Sequence, residues 1–581
     1  MPTPSTSGFT TLVASPKVGS LQAQTIAALL PDAPRKWGGA LGVGTTVSYS
    51  FAWINGLSAV FDGPGTQAYS DLNEPSAAVR YGFNAAQQAA TRSALAAWAS
   101  VANIGFQEIT ESSLQVGDVR LAWTSATQTA GDGTKAWGWA GYPDSYWPSA
   151  GDIWLSTQAS GARDSDWSVG SYNFYSLMHE LGHALGLKHP FEGVQQLSPA
   201  QDVRNYTVMS YDDPAAATWV EVKSSASGGY SWSAKKVVPS TPMIGDILAL
   251  QYLYGANTRA GSGNDVYEID PSVPFYKTLW DTQGQDTVSA ARFTQPCRIN
   301  LNEGSYSSLG FKSNWDQYAK LNWNSVPDTT TFYDGTNNLG IAWGVVIEDA
   351  VGGSGNDSVI GNTANNRLVG GAGDDTLDGG LGDDSLEGDA GNDTLIGGLG
   401  QDTAVYLGPR QAFTLEKTAT GWRVADTTGA EGCDSLQGVE RLSFADRHVA
   451  LDLDGHAGAV AKVLGAVFGP LTVLTHPSWV GLGLYRMDEL GDSLQDLMGL
   501  ALQTRLGSNP SSAQVVDLLY THVVGTPPDT GTRQHFIDQL EQHKLTPTSL
   551  GVLAAETDLN AARIQLVGLS QTGLEYQPYS A

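Results

Sequence analysis

A nine-residue repeat constrains the structure of residues 352–405 more than any other feature of this chain. Six units follow one another without a gap: GGSGNDSVI, GNTANNRLV, GGAGDDTLD, GGLGDDSLE, GDAGNDTLI and GGLGQDTAV. In such repeats the first six residues form a turn and the last three form a short strand, so the stacked units build a parallel β-roll. A flexible glycine-rich linker is the alternative, but a linker has no reason to keep one register through six units.

The repeats also predict calcium sites, because carbonyl groups and aspartates in the turns are hard oxygen ligands. Two units complete one turn of the roll, so each ion is expected between units n and n+2. On one face Asp357, Asp375 and Asp393 form a complete series. On the other face an asparagine replaces the first aspartate, which leaves Asp384 and Asp402 as the better pair and predicts a weak or absent first bridge.

The charge of the repeats predicts a folding switch. Their 54 positions contain ten acidic residues and one basic residue, Arg367. These carboxylates repel one another without a counter-ion, and extracellular modules bind calcium at about 10⁻⁴–10⁻³ M. We therefore expect the segment to stay unfolded where calcium is scarce and to fold after export.

The second informative feature is the segment HELGHALGLKH at residues 179–189. His179 and His183 lie one helical turn apart and share a face. Gly186 can adopt the positive φ that ends a helix, and the reversal would bring His189 round as a third zinc ligand. A solvated helix face or a pair of core histidines is the ordinary explanation of two histidines at this spacing, but here five specified positions agree.

The residues around these histidines predict hydrolytic chemistry. Glu180 is placed to take a proton from water at the open zinc position. The segment NYTVMSYD follows at residues 205–212, and a methionine turn after such a zinc motif resembles the metzincin pattern. Met209 is expected to form an apolar floor beneath the histidines. The resemblance implies that Tyr211 reaches the metal and then stabilises the transition-state oxyanion.

Composition limits the other classes of function. The chain has 59 acidic and 31 basic residues, a net charge of −28, which argues against nucleic acid or an anionic membrane as partner. The chain contains no apolar run of about 18 residues, so no transmembrane segment is predicted. The beginning MPTPST lacks a basic region followed by an apolar core, so export is expected by a route other than the Sec pathway. Cys297 and Cys433 are predicted to be free thiols.

The chain is predicted to contain five parts. Strand-like stretches at 43–51, 118–123, 135–142 and 152–156 and a helical stretch at 84–101 indicate an α+β catalytic domain. The strand at 136–142 could pair with extended substrate or be an ordinary sheet strand. The predicted parts are a prosegment or disordered arm (1–36), a zinc metalloprotease domain (37–257), a calcium-binding β-roll (258–405), a β-rich extension (406–455) and a mainly α-helical C-terminal module (456–581).

Several further segments resemble the serralysin family, the secreted calcium-dependent zinc metalloproteases of Gram-negative bacteria. The resemblance covers roughly residues 39–405 and includes WASVAN (98–103), GDIWL (151–155), PMIGDI (242–247), QYLYGAN (251–257), INLNEGS (299–305) and IEDAVGG (347–353). It implies protein or peptide substrates and export by the type I secretion machinery. It also implies an additional calcium site at the junction, formed by Arg259, Gly261, Asp281, Gly284 and Asp286.

The C-terminal part departs from that family, whose members usually end soon after the roll. Helical patterns occupy 457–468, 494–506 and 513–524. These residues resemble an uncharacterised helical module at the ends of other secreted repeat proteins, including surface-layer-associated ones. Retention at the cell surface through a partner of residues 456–581 is therefore a hypothesis.

Together these features predict a secreted, calcium-dependent zinc endopeptidase with Glu180 as general base. The alternative is a calcium-dependent cell-surface or surface-layer-associated binding protein with a vestigial protease domain. An assay is needed to discriminate between the two.

Overall fold

The computed structural model describes residues 10–14, 16, 19–54, 56, 58, 67–112, 114–129, 133–144, 147–158, 166–225 and 228–579. The chain forms two compact units, one up to residue 347 and the other from residue 348 onward. The finer domain boundaries given above remain predictions.

The first unit contains both strands and helices. Its strands are β1 (Thr10–Leu12), β2 (Arg35–Trp37), β3 (Thr45–Phe51), β4 (Arg80–Tyr81), β5 (Ile104–Glu108), β6 (Val119–Thr124), β7 (Gly138–Ala140), β8 (Ile153–Ser156), β9 (Thr218–Ser224), β10 (Tyr230–Lys236), β11 (Val266–Glu268), β12 (Lys277–Leu279), β13 (Thr287–Ser289), β14 (Arg298–Asn300), β15 (Tyr306–Ser307) and β16 (Leu339–Ile341). Its α-helices are α1 (Leu21–Leu29), α2 (Ala85–Val101), α3 (Tyr172–Ala184), α4 (Ile244–Tyr254) and α5 (Trp315–Tyr318).

A sheet with the strand order β5-β3-β6-β8-β7 forms the centre of the first unit. Strands β5, β3, β6 and β8 are parallel, whereas β7 is antiparallel to β8 and forms an edge. Every residue of β6 and β8 is buried, as expected of parallel strands covered on both faces. The predicted strands near 43–51, 118–123 and 152–156 are confirmed, and β7 occupies the middle of the predicted stretch 135–142.

Helix α2 begins with a capping box, in which Asn84 and Gln87 exchange hydrogen bonds between side chain and backbone. Its buried residues include Ala94, Trp98 and Val101 and recur at helical spacing. This face packs against α3, which carries the histidine segment.

The sequence places residues 1–36 in a prosegment or disordered arm. The sequence also allows one short helix at 21–30, and the described residues from 20 onward contain α1, which packs against α4 and has Ala28 and Leu29 almost fully buried. The backbone N–H of Lys188 donates to the Leu29 carbonyl at 2.8 Å. The apolar residues of this segment are therefore buried against the unit, and the assignment of residues 1–36 as a prosegment remains a prediction.

The second unit begins with the repeats and ends with helices. Its strands are β17 (Asp349–Val351), β18 (Ser358–Ile360), β19 (Arg367–Ala372), β20 (Thr376–Leu381), β21 (Ser385–Ala390), β22 (Thr394–Leu399), β23 (Thr403–Val405), β24 (Phe413–Lys417), β25 (Trp422–Asp426), β26 (Cys433–Gln437), β27 (Arg441–Ser443), β28 (His448–Ala450) and β29 (Leu574–Tyr576). Its helices are α6 (His456–Phe468), α7 (Thr472–Thr475), α8 (Pro477–Asp488), α9 (Leu494–Leu506), α10 (Ser512–Val524), α11 (Thr530–Glu541), α12 (Pro547–Ala555), α13 (Asp558–Arg563) and α14 (Leu566–Thr572).

The repeat strands alternate between two sheets. Strands β17, β19, β21, β23 and β27 are parallel neighbours in one sheet, and β18, β20, β22 and β26 are parallel neighbours in the other. Within the repeats, Leu368 pairs with Leu386, which is two nine-residue units further on. The middle residue of the predicted three-residue strand in each unit is fully buried in all six units, namely Val359, Leu368, Leu377, Leu386, Leu395 and Ala404.

The helical C-terminal region is confirmed, and the predicted stretches coincide with α6, α9 and α10. Helices α6, α8, α9, α10 and α12 share one hydrophobic core. After the helices, strand β29 pairs antiparallel with β28. The helices are therefore an insertion in the chain between two strands that are neighbours in one sheet. Among the described residues, none of the helices is both long and apolar enough to cross a membrane.

Candidate metal centre and active site

Helix α3 presents the first two histidines. Ser171 caps its beginning by accepting a hydrogen bond from Phe174 N at 3.2 Å, and all its residues from Asn173 onward are buried. After the helix, Gly186 has φ +111°, and Leu187 N donates to Gly182 O at 2.9 Å. This is the glycine-terminated helix end that reverses the chain, and the reversal brings His189 back toward the helix.

The three imidazoles meet at one point. The Nε2 atom of His189 lies 3.2 Å from that of His179 and 3.1 Å from that of His183. Burial lowers the pKa of His179 to about 3 and holds the pKa of His183 well below its usual value, so both rings are neutral. Each Nδ1 faces an oxygen, with contacts from His179 to Val208 O (2.7 Å), His183 to Leu187 O (2.7 Å) and His189 to Glu192 Oε1 (2.8 Å).

These contacts favour the tautomer in which Nδ1 carries the proton and the Nε2 lone pairs converge. Two nitrogens bound to one tetrahedral zinc ion, each roughly 2.0–2.1 Å from it, are separated by about 3.3 Å. The observed separations of 3.1 and 3.2 Å are close to that distance. The donor set therefore fits zinc.

Glu180 lies beside this cluster with an unsatisfied carboxylate. Glu180 is buried, and its Oε2 atom has no hydrogen-bond partner in the described part of the chain. Burial raises the pKa of Glu180 to about 8. A Cβ built on Gly138 of β7 would lie 3.7 Å from Glu180 Cγ, so the side chain lies between α3 and the edge strand. The carboxylate is thus available to a group that enters between them.

Tyr211 is half exposed and lies against the imidazoles. Its ring centroid is 5.5 Å from that of His179, with stacked planes, and 4.6 Å from that of His189. The same tyrosine lines a cavity of about 620 Å³ together with Glu180, Trp137 and Arg204. The cavity therefore opens directly onto the histidine cluster.

Met209 of the turn after the histidine segment is fully buried, and a Cβ built on Gly182 of α3 would lie 2.5 Å from its Sδ, so it lies against the helix that carries the first two histidines; its role as an apolar floor remains a prediction. A buried aspartate that sequence reasoning missed, Asp246, holds this turn. Its carboxylate accepts from Thr207 Oγ1 at 2.5 Å and from the backbone N–H of Val208 at 2.8 Å. Since the Val208 carbonyl faces His179, Asp246 positions this histidine through one intervening residue. The only signal in the sequence was an acidic residue in the first turn of α4.

Gly182 allows the methionine to approach the helix. A Cβ at this position would lie 2.5 Å from Met209 Sδ. We expect Gly182→Ala to lower the affinity for zinc by about 10–100-fold, because Met209 or the helix must shift. Zinc affinity measured by competition with a chelator tests this, and Gly499→Ala in α9 is the matched control.

A Cβ at Gly499 would meet only Thr548, at an ordinary 3.6 Å. The control should therefore keep the wild-type zinc affinity and gain a few tenths to about 1 kcal/mol of helix stability. Equal zinc affinity in Gly182→Ala and the wild type would refute the role of the close approach.

The repeat carboxylates form two series of hydrogen bonds across the stacked units. Asp357 N donates to Asp375 Oδ1 at 2.6 Å, and Asp375 N donates to Asp393 Oδ1 at 2.9 Å. In the other series Asp384 N donates to Asp402 Oδ1 at 2.9 Å. Each donor and acceptor is eighteen residues apart, so the structure brings together the pairs that the sequence predicts.

The second oxygens of these carboxylates are unsatisfied. Oδ2 of Asp375, Asp384, Asp393 and Asp402 is buried and has no hydrogen-bond partner among the described residues. Burial raises the pKa of Asp375 and Asp384 to about 7 and the pKa of Asp393 and Asp402 to about 6. Buried carboxylate oxygens without partners are costly, and a calcium ion would compensate them.

Asn366 occupies the place of the missing aspartate and makes a different contact. Its Nδ2 donates to the Glu348 carbonyl at 2.8 Å. An amide N–H group therefore lies where a cation would otherwise bind, and this supports a weak or absent first calcium ion on this face.

We expect Asn366→Asp to add one bound calcium ion, counted by isothermal titration calorimetry. An unchanged calcium count would contradict this explanation.

The predicted junction site contains a carboxylate cluster. Oxygens of Asp265, Asp281 and Asp286 all lie within 4.8 Å of one another. A Cβ on Gly261, whose φ is +56°, would lie 2.5 Å from Asp281 Oδ2, and one on Gly284 would lie 2.9 Å from Asp286 Oδ1. Asp265 is not among the residues that the resemblance implies for this site. Arg259 is exposed and precedes Gly261 by two residues.

Three family models match separate parts of the chain. Residues 77–218 match the matrixins, and residues 249–320 match the C-terminal part of the peptidase M10 serralysins. Residues 351–386 and 375–404 match the RTX calcium-binding nonapeptide repeat. These matches show that the chain resembles a matrixin-type peptidase domain followed by calcium-binding repeats.

Several curated proteins are similar to about half of this chain, and their names are more specific than the family models. A serralysin of Photorhabdus laumondii is 34% identical over 297 residues, which cover 47% of this chain and 53% of the relative. Serralysin B of Dickeya chrysanthemi is 32% identical over 299 residues, covering 47% and 53%. Metalloprotease AprA of Pseudomonas entomophila is 30% identical over 332 residues, covering 54% and 58%. The chain spans about half the length of these relatives, and over that region it is similar to the serralysins.

Proposed function

We propose that this protein is a secreted, calcium-dependent zinc endopeptidase. The observation that carries the proposal is the convergence of three Nε2 atoms, two of them 3.1 and 3.2 Å from the third, beside the buried and unpaired carboxylate of Glu180. His179, His183 and His189 would hold the ion, and the serralysin and matrixin likeness supports the same assignment.

Zinc in such a site supplies Lewis acidity, which lowers the pKa of water to about 7 and polarises a carbonyl. Glu180 takes the proton of the attacking water and passes it to the leaving amine. The Tyr211 hydroxyl, beside the imidazoles, donates a hydrogen bond to the developing oxyanion. Asp246 and Met209 keep the histidines in position during the reaction.

The edge strand β7 would bind the substrate. It is antiparallel to β8 and has no further strand neighbour among the described residues, and Glu180 lies against it. An extended peptide could pair with this edge, which places one of its carbonyls next to the histidine cluster. The exposed edge therefore supports protein or peptide substrates.

The repeats would form a calcium-dependent parallel β-roll. Alternating parallel strands and buried, unpaired aspartate oxygens support this assignment. Asp357, Asp375, Asp384, Asp393 and Asp402 are the proposed ligands, and the junction cluster at Asp281 and Asp286 is a further candidate. Folding of the roll would then require the calcium of the extracellular medium.

Export by the type I secretion machinery follows from the serralysin resemblance. Retention at the cell surface through residues 456–581 is tested by deleting that segment and comparing the partition of enzyme between cells and medium. An unchanged partition would show that the helical module does not retain the protein.

Casein digestion by the purified protein tests the activity. We expect cleavage in calcium, its loss with o-phenanthroline, and its recovery when zinc is added back. A protein that binds calcium and zinc but cleaves nothing would instead support the surface-binding alternative.

A further inference from the structure

The column of repeat strands does not end with the last repeat. Strand β27 pairs in parallel with β23, so that Thr403 is opposite Arg441 and Ala404 is opposite Leu442. Leu442 is fully buried, as Ala404 is. The recognised repeats stop at residue 404, and the chain forms β24, β25 and β26 before it adds this strand.

Glu440 makes the same contact as the repeat aspartates. Asp384 N donates to Asp402 Oδ1 at 2.9 Å, and Asp402 N donates in turn to Glu440 Oε2 at 3.0 Å. A carboxylate oxygen thus occupies the next place in this series.

The spacing explains why this residue is a glutamate. Gly397 and Asp402 are five positions apart, whereas Gly438 and Glu440 are two positions apart. Both glycines occupy the same place in the stack, because a Cβ on Gly379 would meet Gly397 O at 2.6 Å and a Cβ on Gly397 would meet Gly438 O at 1.9 Å. The turn is therefore three residues shorter, and the longer glutamate side chain compensates for the shorter backbone.

A second observation points to a cation. Asp402 is fully buried, and its Oδ2 has no hydrogen-bond partner within the described ranges. A Cβ on Gly397 would lie 2.5 Å from this Oδ2 and 1.9 Å from the Gly438 carbonyl oxygen, so both oxygens face the same space. The Asp402 oxygen is confined there without a donor among the described residues, and a hard cation between it and the Gly438 carbonyl would compensate it.

We propose that Asp402, Glu440 and the Gly438 carbonyl form a calcium site that lies partly outside the recognised repeats. The proposal rests on the calcium binding already proposed for the repeats and extends it to residues that the repeat pattern does not contain.

The neighbouring Arg441 couples this site to the helices. Arg441 is 4% exposed, and its guanidinium pairs with Asp452 and donates to Asp488 Oδ2 of α8 at 2.7 Å and to Gln401 Oε1 at 3.1 Å. The Arg441 guanidinium therefore connects Gln401, the residue before Asp402, with helix α8. Calcium at this site and the docking of α8 should each favour the other, because coupling between two sites is reciprocal.

Calcium counting on the full chain tests the site. Glu440→Gln keeps the oxygen that accepts from Asp402 N but removes the charge, and Glu440→Asp keeps the charge but is too short to reach. We expect each variant to bind one calcium ion fewer than the wild type in isothermal titration calorimetry. The matched control is Glu416→Gln on β24, whose side chain is 70% exposed, and it should bind the wild-type number.

The coupling is tested with Asp488→Asn, which leaves all proposed ligands intact. We expect one calcium ion to bind about tenfold more weakly, with unchanged far-UV circular dichroism at saturating calcium. Wild-type calcium number and affinities in both Glu440 variants would overturn the site, and wild-type affinities in Asp488→Asn would overturn the coupling. If the wild type itself binds no calcium, the proposed function of the repeats fails instead.

Discussion

Replacing Glu180 with glutamine is expected to lower kcat/KM for peptide hydrolysis by about 10²–10⁴-fold, because the amide cannot take a proton from water. Zinc should remain bound, since the substitution leaves the three imidazoles and their Nδ1 partners unchanged. Activity on a fluorogenic peptide and zinc content by atomic absorption measure the two quantities separately.

The matched control for this prediction is Glu221→Gln, on the exposed face of strand β9, where the carboxylate contacts only Lys223 among the ion pairs of the described residues. It should keep wild-type activity. Near-normal hydrolysis by Glu180→Gln would remove the general-base role, whereas loss of zinc from that variant would point to a structural role.

Removing calcium with a chelator at neutral pH is expected to unfold the repeats. Without calcium, four buried aspartates with unpaired oxygens would repel one another. Little apolar burial opposes this repulsion, because each unit buries about one apolar side chain. Far-UV circular dichroism should show a loss of strand signal, and trypsin should cleave in residues 349–443. Magnesium should restore the signal poorly, because it demands a smaller, octahedral set of ligands.

The calcium-free protein should also depend on pH. Burial raises the pKa of Asp375 and Asp384 from 3.8 to about 7, so the folded state prefers the protonated carboxyls. Their contribution to stability is present below the unfolded pKa and is lost as the pH rises through about 7. With chelator present, the repeats should therefore be more structured at about pH 5.5 than at about pH 8. An unchanged spectrum on chelation at about pH 8 would contradict the calcium requirement.

Much of the candidate site could be predicted because its signals are local. The three histidines, Gly186 and Glu180 lie within eleven residues, and helix geometry alone fixes most of their relation. The repeat aspartates recur at a fixed interval, so stacking of identical units places them in register. The same reasoning identified α2, α6, α9 and α10 from apolar periodicity.

Residues that act across long sequence separations could not be found in this way. Asp246 is 38 positions from the Val208 N–H that it holds, and Gly182 matters only because Met209 reaches it. Asp265 carries no signal of its own in the sequence, and only the fold places it beside Asp281 and Asp286. In each case tertiary packing determines which residues meet, and such a contact produces no periodic pattern in the sequence.

The sequence by itself determined the clustering of the three histidines, the repeat register and the helical nature of the C-terminal region, because each depends on residues a few positions apart. Only the tertiary structure decided that α1 is buried, that β29 returns to β28, and that Glu440 and Arg441 continue the repeat column. These relations join segments separated by tens of residues or more. Their energies come from burial and from pairing charges across the fold, and the order of residues along the chain does not specify which distant groups will meet.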